Sequence, residues 1–367
     1  MTTLPLNPAL GDLPVYQPGR PIDEVARELG LPVGQVIKLA SNENPLGPSP
    51  RALEAMGRAL AQLHLYPDGS AFYLKARLAA QLGVTPEHLI LGNGSNEIIE
   101  FIGHALMRPG AEVVVSQYCF AIYPIIARMM GARVVTVPSV KLGHDLPAMA
   151  RAVSPATTVM FVANPNNPTG TLSSPDEVRA LVASVPPHVL LVMDEAYVEF
   201  LETPLDLVGE VREGARPNLL LMRTFSKIHG LAGLRLGYGI ASPSLIAVLE
   251  KVRQPFNINA LVQAGALAAL EDTAHVERTR ANNREGLAYY ERELAALGYP
   301  LVPSAANFFL VRVGNGQRVF TELQKRGIIT RPMAGYQLPE YLRISVGTPA
   351  ENRRCVEALR EVLAKAG

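Results

Sequence analysis

Asn218-Leu219-Leu220-Leu221-Met222-Arg223-Thr224-Phe225-Ser226-Lys227 carries an apolar run straight into a lysine, and Ile228-His229-Gly230-Leu231-Ala232-Gly233-Leu234-Arg235-Leu236-Gly237-Tyr238-Gly239 follows it. The first part reads as a strand over Asn218 to Met222, so Lys227 falls just past a strand's carboxyl end, where open α/β sheets bind their ligands. A lone lysine is ordinarily a solvated surface group. Here its flank is apolar, punctuated by glycine, and presents a second cation, Arg235, eight positions on. That composition makes a poor surface and a plausible pocket.

Working outward, short β-branched runs alternate with helical patterns. Strands are expected within Glu112 to Ser116, Arg133 to Val137, Thr158 to Ala163, Val189 to Asp194, Tyr238 to Ala241, Phe308 to Val313 and Tyr341 to Val346. Several are apolar at every position, as strands covered by helices on both faces must be. Between Ala71 and Leu82, Leu74, Leu78 and Leu82 form one helical stripe that Gly83 closes. Alternation of this kind predicts an α/β architecture with a parallel sheet. After about Asn257 the character changes to an Ala-rich helix, Leu261 to Leu270, and a long charged helix, Thr273 to Leu297. Two strands and a last helix, Ala350 to Lys365, complete the chain.

The chain has 367 residues, 48% of them hydrophobic, enough for two domains at about 150 residues each and for a large core. Lys and Arg total 34 against 33 Asp and Glu, a net charge of +1 with no basic block, which argues against nucleic-acid or membrane-surface binding. Cys119 and Cys355 are the only cysteines, without a pairing pattern, and no charged leader or roughly 20-residue apolar span is visible. The expectation is a cytoplasmic protein. The seven histidines show no metal-ligand spacing, so no metal is expected.

Three further strand ends carry chemistry-bearing residues. Val189 to Met193 runs into Asp194-Glu195-Ala196-Tyr197; Thr158 to Ala163 runs into Asn164-Pro165-Asn166-Asn167-Pro168-Thr169-Gly170; and Leu89-Ile90-Leu91 runs into Gly92-Asn93-Gly94-Ser95-Asn96-Glu97 at a helix start. A glycine-rich turn entering a helix offers backbone N–H groups and a positive dipole end to a phosphate. It is not a dinucleotide fingerprint, because Glu97 stands where the third glycine belongs. Taken singly, each is explained by turn or cap chemistry.

Together, in the order Gly94-Ser95-Asn96, Asn167, Asp194, Tyr197, Lys227, Arg235, they resemble the fold type I superfamily of pyridoxal-phosphate enzymes along nearly the whole chain. Ser41-Asn42-Glu43-Asn44-Pro45, Tyr66-Pro67-Asp68-Gly69, Arg331-Pro332-Met333-Ala334-Gly335-Tyr336 and Leu338 to Thr348 are similar to the histidinol-phosphate aminotransferases, with parts shared by related aminotransferases and a phosphothreonine decarboxylase.

The resemblance implies a large cofactor-binding domain over 46–256, built on a mostly parallel seven-stranded sheet between helices. It also implies a smaller α+β domain made of 1–45 with 257–367. In that family the residue matching Lys227 bonds covalently to pyridoxal 5′-phosphate and shuttles the proton, which requires an amine of ordinary pKa about 10.4 to become partly neutral. The match to Asp194 holds the pyridine nitrogen protonated. Asn167 and Tyr197 match the partners of the phenolic oxygen, and Phe120 the aromatic stacked on the ring. Ser95, Asn96 (where many members carry Asp), Thr224, Ser226 and Arg235 match the phosphate ligands. Tyr66 matches a tyrosine that reaches the partner subunit's cofactor, implying a homodimer. Arg331, Arg343 and Tyr16 match substrate-binding positions, with Arg343 gripping the glutamate carboxylate and meeting, with Arg331, the phosphate of histidinol phosphate.

The expected reaction is transamination between histidinol phosphate and 2-oxoglutarate, giving imidazole-acetol phosphate and glutamate. An aromatic amino-acid aminotransferase and, in another class, a non-catalytic cofactor-binding protein on the same fold are the alternatives.

Overall fold

The computed structural model describes residues 4, 8–11, 13, 15 and 19–364. Among these, the strands in chain order are β1 (Ile37–Lys38), β2 (Leu89–Asn93), β3 (Glu112–Ser116), β4 (Arg133–Val137), β5 (Thr157–Ala163) and β6 (Leu190–Asp194). They continue with β7 (Leu219–Thr224), β8 (Leu236–Ala241), β9 (Phe308–Arg312), β10 (Ile328–Ile329), β11 (Arg331–Pro332) and β12 (Tyr341–Ser345).

Seven strands form one sheet in the order β2-β8-β7-β6-β5-β3-β4. β4, β3, β5, β6 and β7 run parallel, while β8 is antiparallel to both β7 and β2. The apolar runs are explained by the two faces they supply. Val114, Met160, Val162, Leu191, Met193, Leu219 and Leu221 enter one buried cluster, and Val113, Val115, Val159, Phe161, Val192, Leu220 and Met222 enter the other. Side chains alternate faces along a strand, so a strand buried on both sides needs apolar residues at every position.

The chain builds β3 then β4 toward one edge and β5 to β8 toward the other, so the direction of winding reverses between β3 and β5. A crevice opens at the carboxyl ends of strands around such a reversal. Asp194 ends β6, Thr224 ends β7, Asn167 follows β5 and Phe120 follows β3.

A second, antiparallel sheet, β11-β12-β9, lies over a separate core that includes Leu342, Ile344, Phe309, Val311, Tyr290 and Leu359. β1 pairs in parallel with β10, tying residue 37 to residue 328. These two-residue strands, like β11, leave no periodicity in the sequence to read. The helix Ala260–Glu271 packs into the large sheet's core through Val262, Ala266 and Ala269. No helix among the described residues is long and apolar enough to cross a membrane.

The helix Ser95–Leu106 begins within the glycine-rich turn, as expected, and rests on the large sheet through Ile98 and Ile99. Gly237 on β8 permits that approach, since a Cβ there would overlap the Ser95 nitrogen and come 2.7 Å from the Gly94 carbonyl carbon. Gly237→Ala should therefore destabilise the fold by about 1–3 kcal/mol or more, because backbone rather than a flexible side chain must yield. Equilibrium denaturation of variant and wild type measures this, and an unchanged midpoint would refute it.

Candidate active site

A cavity of about 410 Å³ lies at the carboxyl ends of the large sheet and extends to the smaller one. Ser95, Asn96, Phe120, Asn167, Asp194, Tyr197, Thr224, Ser226, Lys227, Arg235, Arg331 and Arg343 all line it. Tyr66 does not: it is 82% exposed and stacks on Phe256 with ring centroids 4.8 Å apart. Tyr16 lies outside the described residues.

Asp194 sits at the end of a central strand with 6% of its surface exposed. The Tyr123 hydroxyl donates to Oδ2 at 2.5 Å and the Ala196 N–H to Oδ1 at 3.1 Å. Burial raises its pKa above the ordinary carboxylate value, against the lowering effect of these donors and of Lys227, because an anion removed from water loses solvation that two hydrogen bonds do not fully restore. A cation placed against it would recover much of that loss. Tyr123, which packs flat on Phe161 at 4.5 Å, was not among the expected site residues. It stands three residues after Phe120, and only the fold shows that its hydroxyl faces β6.

Lys227 lies in a tight turn after β7. The Ser226 N–H donates to the Thr224 hydroxyl at 3.1 Å, that hydroxyl donates to the Leu236 carbonyl at 3.1 Å, and the Gly230 N–H donates to the Lys227 carbonyl at 3.1 Å. Thr224 thus spends its hydroxyl proton on the turn. The Lys227 amine stands 5.6 Å from the Tyr197 ring centroid and 3.5 Å from the Ser41 carbonyl oxygen.

On the other side of the cavity, Arg235 adopts a left-handed backbone with φ 59° and donates Nη1 to the Ala232 carbonyl. Its guanidinium lies against the bare Cα of Gly94, so that a Cβ there would collide with Nη2. A cation and the N-terminus of a 12-residue helix therefore converge on one spot, a cradle suited to an anion. Glu97 is kept out of it, accepting instead from the Asn93 N–H and the Asn257 amide, both at 2.7 Å.

The smaller sheet closes the cavity with cations. Arg331 on β11 and Arg343 on β12 are direct cross-strand partners. Arg343 is 7% exposed, donates Nη1 to Asn167 Oδ1 at 2.8 Å and Nη2 to the Ala40 carbonyl at 2.9 Å, and lies 5.1 Å from the Phe308 ring centroid. With Oδ1 of Asn167 engaged, that amide presents its Nδ2 hydrogens to the cavity. Lys38, Asn42, Glu43 and Tyr336 also line the site. Asn42 and Tyr336 stand in motifs quoted for the family likeness, but nothing in their type or spacing separates a cavity-lining side chain from a structural one.

Behind the site, Glu195 accepts from Arg223 Nε at 2.8 Å, joining the ends of β6 and β7 on the face away from the cavity. Glu199 lines an adjoining void of about 180 Å³ with Arg223, Tyr238 and His229, and one of its carboxyl oxygens is buried without a hydrogen bond. Burial pushes the Glu199 carboxyl up to about 7, beyond what Arg223 offsets. A carboxyl whose folded pKa exceeds its unfolded value stabilises fully below about pH 4.5 and loses that contribution as pH rises through 7. Glu199→Gln should consequently gain thermal stability relative to wild type between pH 5 and pH 8. A melting-temperature difference independent of pH would show that Glu199 stays ionised.

The sequence profile of the family described as aminotransferase class I and II matches residues 34–359. A histidinol-phosphate aminotransferase of Akkermansia muciniphila is 51% identical over 96% of this chain and 97% of its own. Histidinol-phosphate aminotransferase 2 of Ralstonia nicotianae is likewise 51% identical, over 96% of this chain and 95% of its own. The crystal structure of histidinol-phosphate aminotransferase from Sinorhizobium meliloti in complex with pyridoxal-5'-phosphate superposes with a TM-score of 0.88 at 28% identity, covering 99% of this chain and 98% of that one. With its lysine, buried carboxylate and anion cradle set at one end of the sheet's strands, this chain belongs to the class I and II aminotransferase family, among the histidinol-phosphate aminotransferases.

Proposed function

We propose that the protein interconverts L-histidinol phosphate and 2-oxoglutarate with imidazole-acetol phosphate and L-glutamate, using pyridoxal 5′-phosphate. One observation carries the substrate reading: Arg331 and Arg343 stand directly opposite each other across β11 and β12 and line the same cavity as Lys227. Like charges at such positions repel, so the arrangement is stable when an anion joins them. A planar guanidinium accommodates phosphate and carboxylate alike, as two substrates taken in turn require.

The donor set fits the cofactor. Pyridoxal phosphate supplies, when bound, a carbon that bonds to amines and a ring that withdraws electrons from the carbon being deprotonated. Lys227 would hold it through its amine and then carry the proton to and from the substrate's amine-bearing carbon. Asp194, short of solvation, would face the ring nitrogen and keep a proton there. The Asn167 amide and Tyr197 hydroxyl would hold the phenolic oxygen, and Phe120 would cover the ring. The Ser95 and Asn96 backbone, Ser226 and Arg235 would hold the phosphate, with Thr224 shaping the turn beneath.

A homodimer belongs to the same proposal. Leu53, Leu60, Leu63, Leu65, Tyr66, Phe72 and Tyr73 are each more than half exposed, an apolar face that a second copy would cover while carrying Tyr66 into its neighbour's site. Residues 46–256 would form the cofactor-binding domain and 1–45 with 257–367 the smaller one, a division supported by the β1–β10 pairing. The helix Ala260–Glu271, although it falls in the second of these stretches, packs into the core of the large sheet. Two buried free cysteines favour a reducing, cytoplasmic setting.

Borohydride reduction of the holoenzyme followed by peptide mapping should label Lys227, and Lys227→Ala should fold yet lose transamination. A label on another lysine would overturn the assignment. Arg331→Ala should weaken histidinol phosphate by about ten- to a hundred-fold, the cost of one charge-assisted partner of about 1.5–3 kcal/mol, and affect glutamate less. Arg343→Ala should impair both half-reactions. Single-turnover measurement of each half-reaction checks this, and equal losses for both substrates in Arg331→Ala would point instead to an aromatic or acidic aminotransferase.

A further inference from the structure

We infer that Asn42 is a positioning residue for this reaction: its side-chain amide sets the direction in which Tyr197 offers its hydroxyl proton, and it joins that hydroxyl to the strand bearing Arg343. The inference rests on the transaminase reading above and extends it to a residue outside the expected machinery.

Asn42 is 2% exposed and has a left-handed backbone with φ 55°, a conformation that Asn tolerates better than most residues. Every polar group it owns is engaged. Its N–H donates to Ser345 Oγ at 2.9 Å, Ser345 Oγ donates back to Asn42 Oδ1 at 3.1 Å, and the Asn42 carbonyl accepts from Asn307 Nδ2 at 3.1 Å. Its Nδ2 donates to the Tyr197 hydroxyl at 2.9 Å. Ser345 decides the sense of the amide. A serine hydroxyl has one proton, and with a lone pair already receiving the Asn42 N–H, that proton goes to Oδ1 and leaves Nδ2 for Tyr197.

The Tyr197 oxygen is therefore an acceptor toward Asn42, and its own proton points elsewhere. Both residues line the cavity in which the cofactor's phenolic oxygen would lie. Accepting one hydrogen bond also strengthens the one a hydroxyl donates. Among the described residues, the charged and titratable groups around Tyr197 include the Lys227 amine over its ring, Asp194 three residues earlier with the Tyr123 hydroxyl on it, and Arg343 over the Phe308 ring that packs edge-on against Tyr197 at 5.2 Å. Asn42, unlike Lys227, Asp194 and Arg343, carries no ionisable group, so its influence passes through the hydrogen bond and not through charge. Ser345 lies two residues from Arg343 and thus on the same face of β12, which places the anion-binding strand and the Tyr197 proton in one chain of contacts.

A donor at the phenolic oxygen stabilises its negative charge and so eases loss of the proton from the lysine-bound nitrogen nearby. Weakening that donor raises the pH at which the bound chromophore titrates. The test is a pH titration of the visible absorbance of the substrate-free holoenzyme, with its melting temperature recorded alongside. Asn42→Gly keeps the left-handed backbone and removes the amide. Its midpoint should rise by on the order of half a pH unit, roughly three-fold in proton affinity, as expected for one neutral hydrogen bond acting at second hand.

Tyr197→Phe should shift the midpoint further in the same direction, and the double variant should titrate like Tyr197→Phe alone. An unchanged or lowered midpoint in Asn42→Gly, or additive shifts in the double variant, would overturn the inference. Should Asn42→Gly fail to fold, Ser345→Ala, which releases Oδ1, is read by the same criterion: an upward shift supports the inference and none overturns it. A wild-type holoenzyme without a titrating band would overturn the transaminase reading and this inference with it, whereas identical titrations in wild type and variants overturn this inference alone.

Discussion

The buried carboxylate of Asp194 is the constraint around which the rest of the site is arranged. A strand in the middle of a sheet, covered on both faces, leaves its last residue little access to water, and here that residue is an acid. Such a group is costly unless hydrogen-bonded and matched by a cation. Tyr123 and the Ala196 N–H supply the hydrogen bonds. Lys227 supplies part of the matching charge, yet burial still holds the Asp194 pKa above the ordinary carboxylate value. On the proposed function the ring nitrogen of the cofactor would supply the rest, and the desolvation that raises the Asp194 pKa would make the carboxylate an effective partner for a protonated pyridine.

From that fixed point the neighbouring strands determine the other distances. β5 and β7 flank β6 and end at nearly the same level, which brings Asn167 and Lys227 to either side of Asp194. Because β8 returns antiparallel beside β7 and ends its pairing with β2 at the helix start, Arg235 comes to lie over Gly94. This part of the site is thus a row of adjacent strand ends, with ladder hydrogen bonds setting the strands and turn hydrogen bonds such as those of Thr224 and Ser226 setting Lys227.

Cations reach across from the smaller sheet. Arg343 contacts Asn167 of the large sheet and the Ala40 carbonyl, and Asn42 contacts both Tyr197 and Ser345. On the proposed function, substrate anion binding and the hydrogen bonding of the cofactor's phenolic oxygen would share side chains. A change at one would then reach the other through two or three hydrogen bonds.

The amino-acid sequence by itself determined the local elements and the residues at their ends. Continuous apolar runs mark β5, β6 and β7 because both faces are buried, the Leu74–Leu78–Leu82 stripe and Gly83 mark a helix and its stop, and Asn167, Asp194 and Lys227 stand where those runs end. Its order of motifs also carried the family. What only the tertiary structure decided is which partners these groups find. Tyr123 on Asp194, Asn42 on Tyr197 and Arg331 opposite Arg343 are contacts between residues 71, 155 and 12 positions apart. No helical or strand period connects such positions. Strand pairing and the packing of two cores bring them together, and hydrogen-bond geometry then fixes which atom donates and which accepts.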